Sequence, residues 1–117
     1  MKATVKSVDL IDYENWAYWP DDVEDFGLAA EAMIGAAESD GADIFSFEIC
    51  TPKWFMRNRL DAVTFARSTL FVVEYDEDQI KNHVMELVQS IEGDSWEDIA
   101  AKLSRFMTWE FEDYRSA

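Results

Sequence analysis

The sequence predicts a two-layer α+β domain, with a mainly antiparallel sheet of about four strands and helices packed on one face. Residues 45–50 alternate apolar and polar side chains, which is the period of a strand with one buried face. Thr51 and Pro52 follow as an N-cap and a first-turn proline, so a helix begins where this strand ends. Two more capped amphipathic helices come after the last predicted strand.

Three segments precede the strand at residues 45–50. Lys2–Leu10 alternates and predicts a strand at a sheet edge, whereas residues 11–25 show no period and predict a long loop. Such a loop is uncommon in a compact domain unless it has a function or local structure of its own. Residues 26–37 fit a helix by their alanine content and a strand by their alternation. Because the turn sequence Ser39–Ala42 leads into the next strand, we favour a strand in a hairpin.

The C-terminal half supplies one strand and two helices. Residues 61–68 predict a connector, and Thr69–Tyr75 predicts a strand. Asp76 opens a helix with a capping box, and Gly93 marks the end of that helix. Ser95 caps the last helix. The predicted core side chains are Phe45, Phe47, Phe71, Val73, Leu87 and Leu103.

Length and composition indicate one domain over residues 1–117. No apolar run approaches the roughly 18 residues of a membrane span, and the first residues lack the apolar core of a signal peptide. Cys50 is the only cysteine, so no intramolecular disulfide can form. We therefore expect a cytoplasmic protein that does not bind membranes and that exists as a monomer or weak dimer.

The charge is large and unevenly distributed. The formal net charge is −15, and the interval between Lys6 and Lys53 contains twelve acidic residues and no lysine or arginine. This field repels nucleic acids and anionic membranes and attracts basic partners. A nucleic-acid-binding function is therefore excluded.

The sequence offers no catalytic or cofactor-binding constellation, so we expect no enzyme activity, cofactor or metal. His83 is the only histidine and lies beside the apolar stripe of a helix, where a surface position explains it. Cys50 is best explained as a packing residue at the end of a strand. One cysteine and one histidine cannot form a zinc site, and the four glycines are scattered singly. The alternative is a small enzyme or ligand-binding domain with a pocket between sheet and helices.

The five tryptophans divide into two groups. Trp54, Trp96 and Trp109 lie in predicted helices or apolar segments, where core packing explains them. Trp16 and Trp19 lie in the acidic loop, where anchoring a partner competes with packing over the sheet.

Several motifs resemble the immunity protein 8 family of bacterial polymorphic toxin systems. The resemblance includes Phe47–Trp54 and Val73–Asp76, and it continues at Trp96–Arg105 and Trp109–Tyr114, so it covers nearly the whole chain. It implies a cytoplasmic antidote that binds the C-terminal domain of a secreted toxin and blocks it. It carries over no catalytic residue.

The charge adds a hypothesis about the toxin and the binding surface. Many such toxins are nucleases with basic clefts, which an acidic surface bearing aromatic residues can occupy. The loop has six acids and no base in its own sequence, and the C-terminus continues the acidic pattern. A rival acidic face would comprise Glu86, Glu92 and Asp94. The predicted partner-binding residues are Asp12, Glu14, Trp16, Trp19, Asp21, Asp22, Glu24, Asp25, Glu110, Glu112, Asp113 and Tyr114.

Overall fold

A computed structural model describes residues 1–113, and within that range the chain forms five strands and three helices. The α+β class predicted from the sequence is confirmed. The strands are β1 (Ala3–Leu10), β2 (Gly27–Ala36), β3 (Asp43–Cys50), β4 (Thr69–Phe71) and β5 (Thr108–Trp109). The helices are α1 (Pro52–Asn58), α2 (Glu77–Gln89) and α3 (Trp96–Leu103).

The sheet has the order β1-β2-β3-β4, with β1 at one edge as expected. The β1/β2 and β2/β3 pairs are antiparallel, whereas β4 runs parallel to β3. A parallel neighbour is possible because α1 and the connector return the chain to the starting end of the sheet. The short strand β5, which the sequence did not predict, pairs antiparallel with β3 beside β4. The sheet is therefore mixed.

The ambiguous segment 26–37 is a strand, because pairing on both sides overrides its helical propensity. Leu28, Ala30, Ala32 and Ile34 alternate along β2 and are buried. The predicted hairpin to β3 forms, and a Cβ built on Gly35 would lie 2.0 Å from the Gly41 carbonyl oxygen. Glycine is therefore required where the two arms of this hairpin approach each other.

Helices α2 and α3 cover one face of the sheet. Their predicted caps form, because the Asp76 carboxylate accepts from the Gln79 N–H at 3.1 Å and the Ser95 hydroxyl accepts from the Asp98 N–H at 3.1 Å. The core between these helices and the sheet contains Phe45, which is fully buried. Predicted core residues found buried are Phe45, Phe47 and Leu103, and Leu87 is half-buried.

Two predicted core residues are exposed. Strand β4 ends at Phe71, so Val73 follows the strand and is 83% exposed. Phe71 is opposite Cys50 in the register and points to the face away from α2 and α3, where its ring lies 5.2 Å from that of Phe55. It is 45% exposed. Tyr75 is the residue of this segment that is buried in the core. The core residues were assigned wrongly because the strand was predicted to extend to Tyr75, whereas it ends at Phe71.

Helix α1 differs from the expectation that all helices lie on one face. Gly27 alternates with the inward-facing Leu28, so its missing Cβ points to the opposite face. A Cβ there would lie 2.3 Å from the Trp54 ring, so Trp54 lies directly over this glycine. Arg59 also reaches from the end of the helix to Glu48 on the same face. Helix α1 therefore covers one end of the outer face and buries Cys50.

Candidate partner-binding surface

The loop of residues 11–25 is held against the domain by Tyr75. The Tyr75 N–H donates to the Val23 carbonyl at 2.8 Å, and its hydroxyl donates to the Trp16 carbonyl at 3.3 Å. Its buried ring makes edge contacts with Trp19 at 5.1 Å and Phe26 at 5.4 Å between centroids. The loop therefore has a defined conformation, although it contains no helix or strand.

Trp16 belongs to the base of the loop. Its indole N–H donates to the Val8 carbonyl of β1 at 2.9 Å, and the Lys81 ammonium lies 5.1 Å above its ring. The side chain packs against the hydrophobic core. Of the two roles considered for Trp16, packing is the one that its contacts support.

The tip of the loop comprises its solvent-facing side chains, among them the aromatic residues Tyr13 and Trp19. Trp19 is 66% exposed while one edge contacts Tyr75, so it is anchored and still presents most of its surface. Tyr13 is also exposed and stacks on Tyr18 at 4.0 Å. Burial, followed by a hydrogen bond with Tyr13, raises the pKa of Tyr18 above its ordinary value. The tip is an aromatic group that can contact a partner without first becoming ordered.

Five of the six loop acids lie on the same loop as these aromatics and have no basic partner among residues 1–113. The sixth, Asp25, accepts two hydrogen bonds from Arg57 at 2.7 and 3.0 Å. That bidentate bond is the main cause of the lowered pKa of Asp25. The loop has no base in its own sequence, but the fold brings Arg57 to Asp25, so only the other five acids lack a basic partner among the described residues. The five exposed, unpaired acids are Asp12, Glu14, Asp21, Asp22 and Glu24.

The predicted C-terminal acids lie elsewhere. The loop leaves the sheet at the Cys50 end of β3, whereas β5 pairs near the Asp43 end. Glu110 accepts a hydrogen bond from the Ile44 N–H, and Glu112 forms an ion pair with Arg67. The structure thus gives these two acids intramolecular partners at the opposite end of β3 from the loop. Asp113 is exposed with a positive φ of 62°, and Tyr114 lies outside the described residues.

A cavity of about 270 Å³ lies between β4, α2 and the end of α3. Its wall is largely apolar, with His83, Arg67 and Arg105 among the lining residues. The hydroxyl of Ser68 in this wall bonds to Thr108 at 2.6 Å, and that of Thr69 donates to a backbone carbonyl at 2.9 Å. The described lining therefore brings no activated nucleophile together with a base.

Cys50 is remote from that cavity and is buried under α1. Burial, assisted by the nearby Glu48 carboxylate, raises the pKa of its thiol to about 11. A thiol in this state is not a nucleophile at neutral pH. Among residues 1–113, no three His, Cys, Asp or Glu side chains converge in a group that could hold a metal ion.

Comparison with known proteins identifies the class of this chain. A family model described as Immunity protein 8 matches residues 3–114, which is nearly the whole chain. No curated protein and no solved structure matches it. The protein is thus an immunity protein of toxin systems, and the resemblance seen in the sequence motifs is confirmed. It belongs to the Immunity protein 8 family, whose members bind a cognate toxin. In the described part of the chain, no helix has the length and apolarity needed to span a membrane.

Proposed function

We propose that this protein neutralises the C-terminal domain of a secreted toxin in the cytoplasm by occupying its active cleft, without catalysis or a cofactor. The observation that carries the proposal is the tip of the 11–25 loop. There an exposed Trp19 shares a loop fixed by Tyr75 with five exposed carboxylates that have no ion pair among the described residues. A fixed aromatic anchor within an acidic rim fits the usual anatomy of a protein-binding hot spot.

The charge supports a basic toxin, and a nuclease is the class we favour. Nucleases bind phosphates and therefore carry basic clefts, and a protein with a net charge of −15 is attracted to them over long distances. The acids of the loop would raise the association rate, whereas Trp19 would slow dissociation. Asp25 is not part of the proposed contact, because Arg57 already neutralises it.

The test is to change Asp21, Asp22 and Glu24 together to their amides. The probe is an inactivated form of the toxin domain encoded by the gene adjacent to that of this chain. We expect the association rate to fall about tenfold or more at low salt and the salt dependence to weaken. The control changes Glu86, Glu92 and Asp94 to amides, which alters the net charge equally on the rival face and in addition removes the ion pair between Glu92 and Lys2 at 2.8 Å. Equal effects of the two variants would show only a net-charge effect, and a larger effect of the control would place the contact on the rival face.

Replacing Trp19 by alanine tests the anchor separately. We expect faster dissociation and a loss of binding free energy of about 2–4 kcal/mol, as for a central hot-spot residue. The thermal stability of the free protein should change little, because most of this side chain is exposed. Unchanged dissociation in the folded variant would exclude Trp19 from the interface.

A further inference from the structure

The edge of the sheet at β4 has unpaired backbone groups. The Ser68 carbonyl accepts from the Glu48 N–H at 2.8 Å, and the Val72 N–H donates to the Cys50 carbonyl at 2.9 Å. Backbone groups of alternate strand residues point to opposite sides, so those of Thr69 and Phe71 point away from β3. Within residues 1–113, no other strand pairs with this outer side of β4.

The opposite edge of the sheet is protected. The pairing register of β1 with β2 shifts between Val5 and Ser7. The Trp16 indole N–H donates to the Val8 carbonyl, which is then not available to a further strand. Bulges and covering side chains are the usual means of preventing strands from adding to an edge. None of the β4 residues is charged or a proline, and both Phe71 at the end of the strand and Val73 after it are exposed. The β1 edge is thus interrupted at two places, whereas at β4 only the shortness of the strand, three residues, limits pairing with a further strand.

A groove with room for side chains runs along the open edge. The cavity of about 270 Å³ near Arg105 and a second of about 260 Å³ both adjoin β4 on the side of α2. Leu70 and His83 line both cavities, so they form neighbouring parts of one groove. A strand added to β4 would direct every second side chain toward α2, where the two cavities could receive them.

Two further observations indicate which partner would fill this groove. The chain from β4 leads directly to Tyr75, which bonds to Val23 and contacts Trp19 of the proposed toxin surface. The open edge is therefore linked to that surface by the short segment 72–75, whose buried Tyr75 contacts the loop. Arg105 at the groove forms no ion pair within the described residues, so the groove offers a cation in a protein that is otherwise strongly acidic.

We propose that β4 receives an extended strand from the toxin domain, which continues the sheet by one strand. This inference rests on the proposed function and adds the mode of recognition. Main-chain hydrogen bonds to Thr69 and Phe71 would supply affinity, and the groove would supply specificity. The added strand of the toxin carries apolar side chains that face Leu70 and a carboxylate that faces Arg105. The acidic loop and the open edge then hold two different parts of one toxin domain.

The decisive variant pair is Phe71→Pro and Phe71→Ala. Both remove the phenyl ring, but only proline removes the outward N–H, and an edge strand tolerates proline when that N–H is not used in the sheet. We expect Phe71→Pro to bind the inactivated toxin domain from the adjacent gene at least tenfold more weakly than Phe71→Ala. Thermal unfolding should show that both variants remain folded.

Hydrogen exchange on the unmodified protein provides a measurement that does not depend on a variant. The outward-pointing amides of Thr69 and Phe71 should become protected when the toxin domain binds, whereas the Val72 amide already donates to the Cys50 carbonyl and should not change. If the toxin domain binds while these amides stay unprotected, and the two variants bind equally, strand addition is wrong and the proposed function stands. If the toxin domain does not bind at all, both proposals fail. Protection of these amides in the free protein, together with dimer formation, would show that a second copy fills the edge instead.

Discussion

At the residue scale, the core prediction was correct for Phe45 and Phe47, which alternate along a long strand. It was wrong for Phe71 and Val73, because β4 is shorter than the strand that the sequence predicted. Phe45 is fully buried and contacts both Trp96 and Trp109. Phe71 has the same side chain on the outer face and is half exposed. Sequence periodicity gives the alternation of faces, but it does not show where pairing with a neighbour ends.

These two phenylalanines provide a matched prediction. Phe45→Ala should lower the free energy of unfolding by about 3–5 kcal/mol, because it removes a fully buried ring and leaves a cavity. Phe71→Ala should lower it by about 1 kcal/mol or less, because the phenyl ring keeps much of its hydration in the native state. Urea denaturation of both variants measures the difference. Similar losses for the two would mean that the faces of the sheet are assigned wrongly.

Cys50 yields a prediction about pH. The pKa of its thiol is raised to about 11 in the folded protein, from an ordinary value of 9.0, because the charged thiolate is disfavoured under α1. The folded state therefore retains the proton longer than the unfolded state does, and its contribution to stability is lost as the pH rises from about 9 to 11. Cys50→Ala should reduce the fall in stability over this range, measured by denaturation at each pH.

A labelling experiment checks the same environment at fixed pH. At pH 8 the native thiol should react with iodoacetamide far more slowly than the same thiol in denaturant, because it is both buried and protonated. Rapid labelling of the native protein would contradict the buried position of Cys50.

At the element scale, Asp43 connects β3 with two elements, α3 and β5, that follow more than 50 residues later. One oxygen of its carboxylate accepts from the Trp96 indole of α3 at 2.7 Å and from the Trp109 indole of β5 at 2.9 Å. Asp43 itself begins β3. The acceptor therefore fixes α3 and β5 against the first residue of β3.

Asp43→Ala should lower the free energy of unfolding by about 1–3 kcal/mol, because both half-buried indole N–H groups lose their acceptor. Asp43→Asn is the matched control, since its amide oxygen can occupy the same position and accept from both indoles. Its loss should be much smaller. Denaturation followed by tryptophan fluorescence reports both the stability and the environment of the two indoles. Equal losses for the two variants would show that the charge, rather than the acceptor, matters.

The elements themselves were predictable to different degrees for physical reasons. The three helix starts were predicted correctly, because capping depends on a few adjacent residues such as Asp76 and Ser95. Strand β5 was not predicted, because two residues of strand carry no period and depend on pairing with β3. The side of the sheet occupied by α1 depends on Gly27, whose role is visible only once Trp54 lies above it.

The candidate surface was predictable only in part. Tertiary contacts decide which aromatic side chains are exposed and which acids are paired with a base. The sequence identified the acidic loop and its aromatics. It could not separate the packed Trp16 from the exposed Trp19, nor detect that Arg57 neutralises Asp25. The open edge at β4 could not be predicted from the sequence, because an edge is recognised only from the absence of a neighbouring strand, which here holds for residues 1–113.

At the scale of the whole molecule, the net charge of −15 should make stability and toxin binding respond oppositely to salt. Repulsion among the acids destabilises the free fold, so added salt should raise its melting temperature. The same screening should weaken attraction to a basic toxin and slow association. Thermal unfolding and binding kinetics between 50 and 500 mM NaCl (about 14 to 4 Å of screening length) would measure both effects. A melting temperature that falls with salt would contradict the repulsion argument.

Under the proposed function, the loop of residues 11–25 divides two tasks between different side chains. Its base, through Trp16 and the bonds to Tyr75, holds the backbone. Trp19 and the five unpaired acids are exposed, so we expect them to contribute less to folding. Substitutions at the tip can therefore accumulate without loss of the folded state. A lineage of such proteins could keep pace with a changing toxin by varying a few exposed side chains. The fixed base would let each new tip bind without a fresh cost of ordering the backbone.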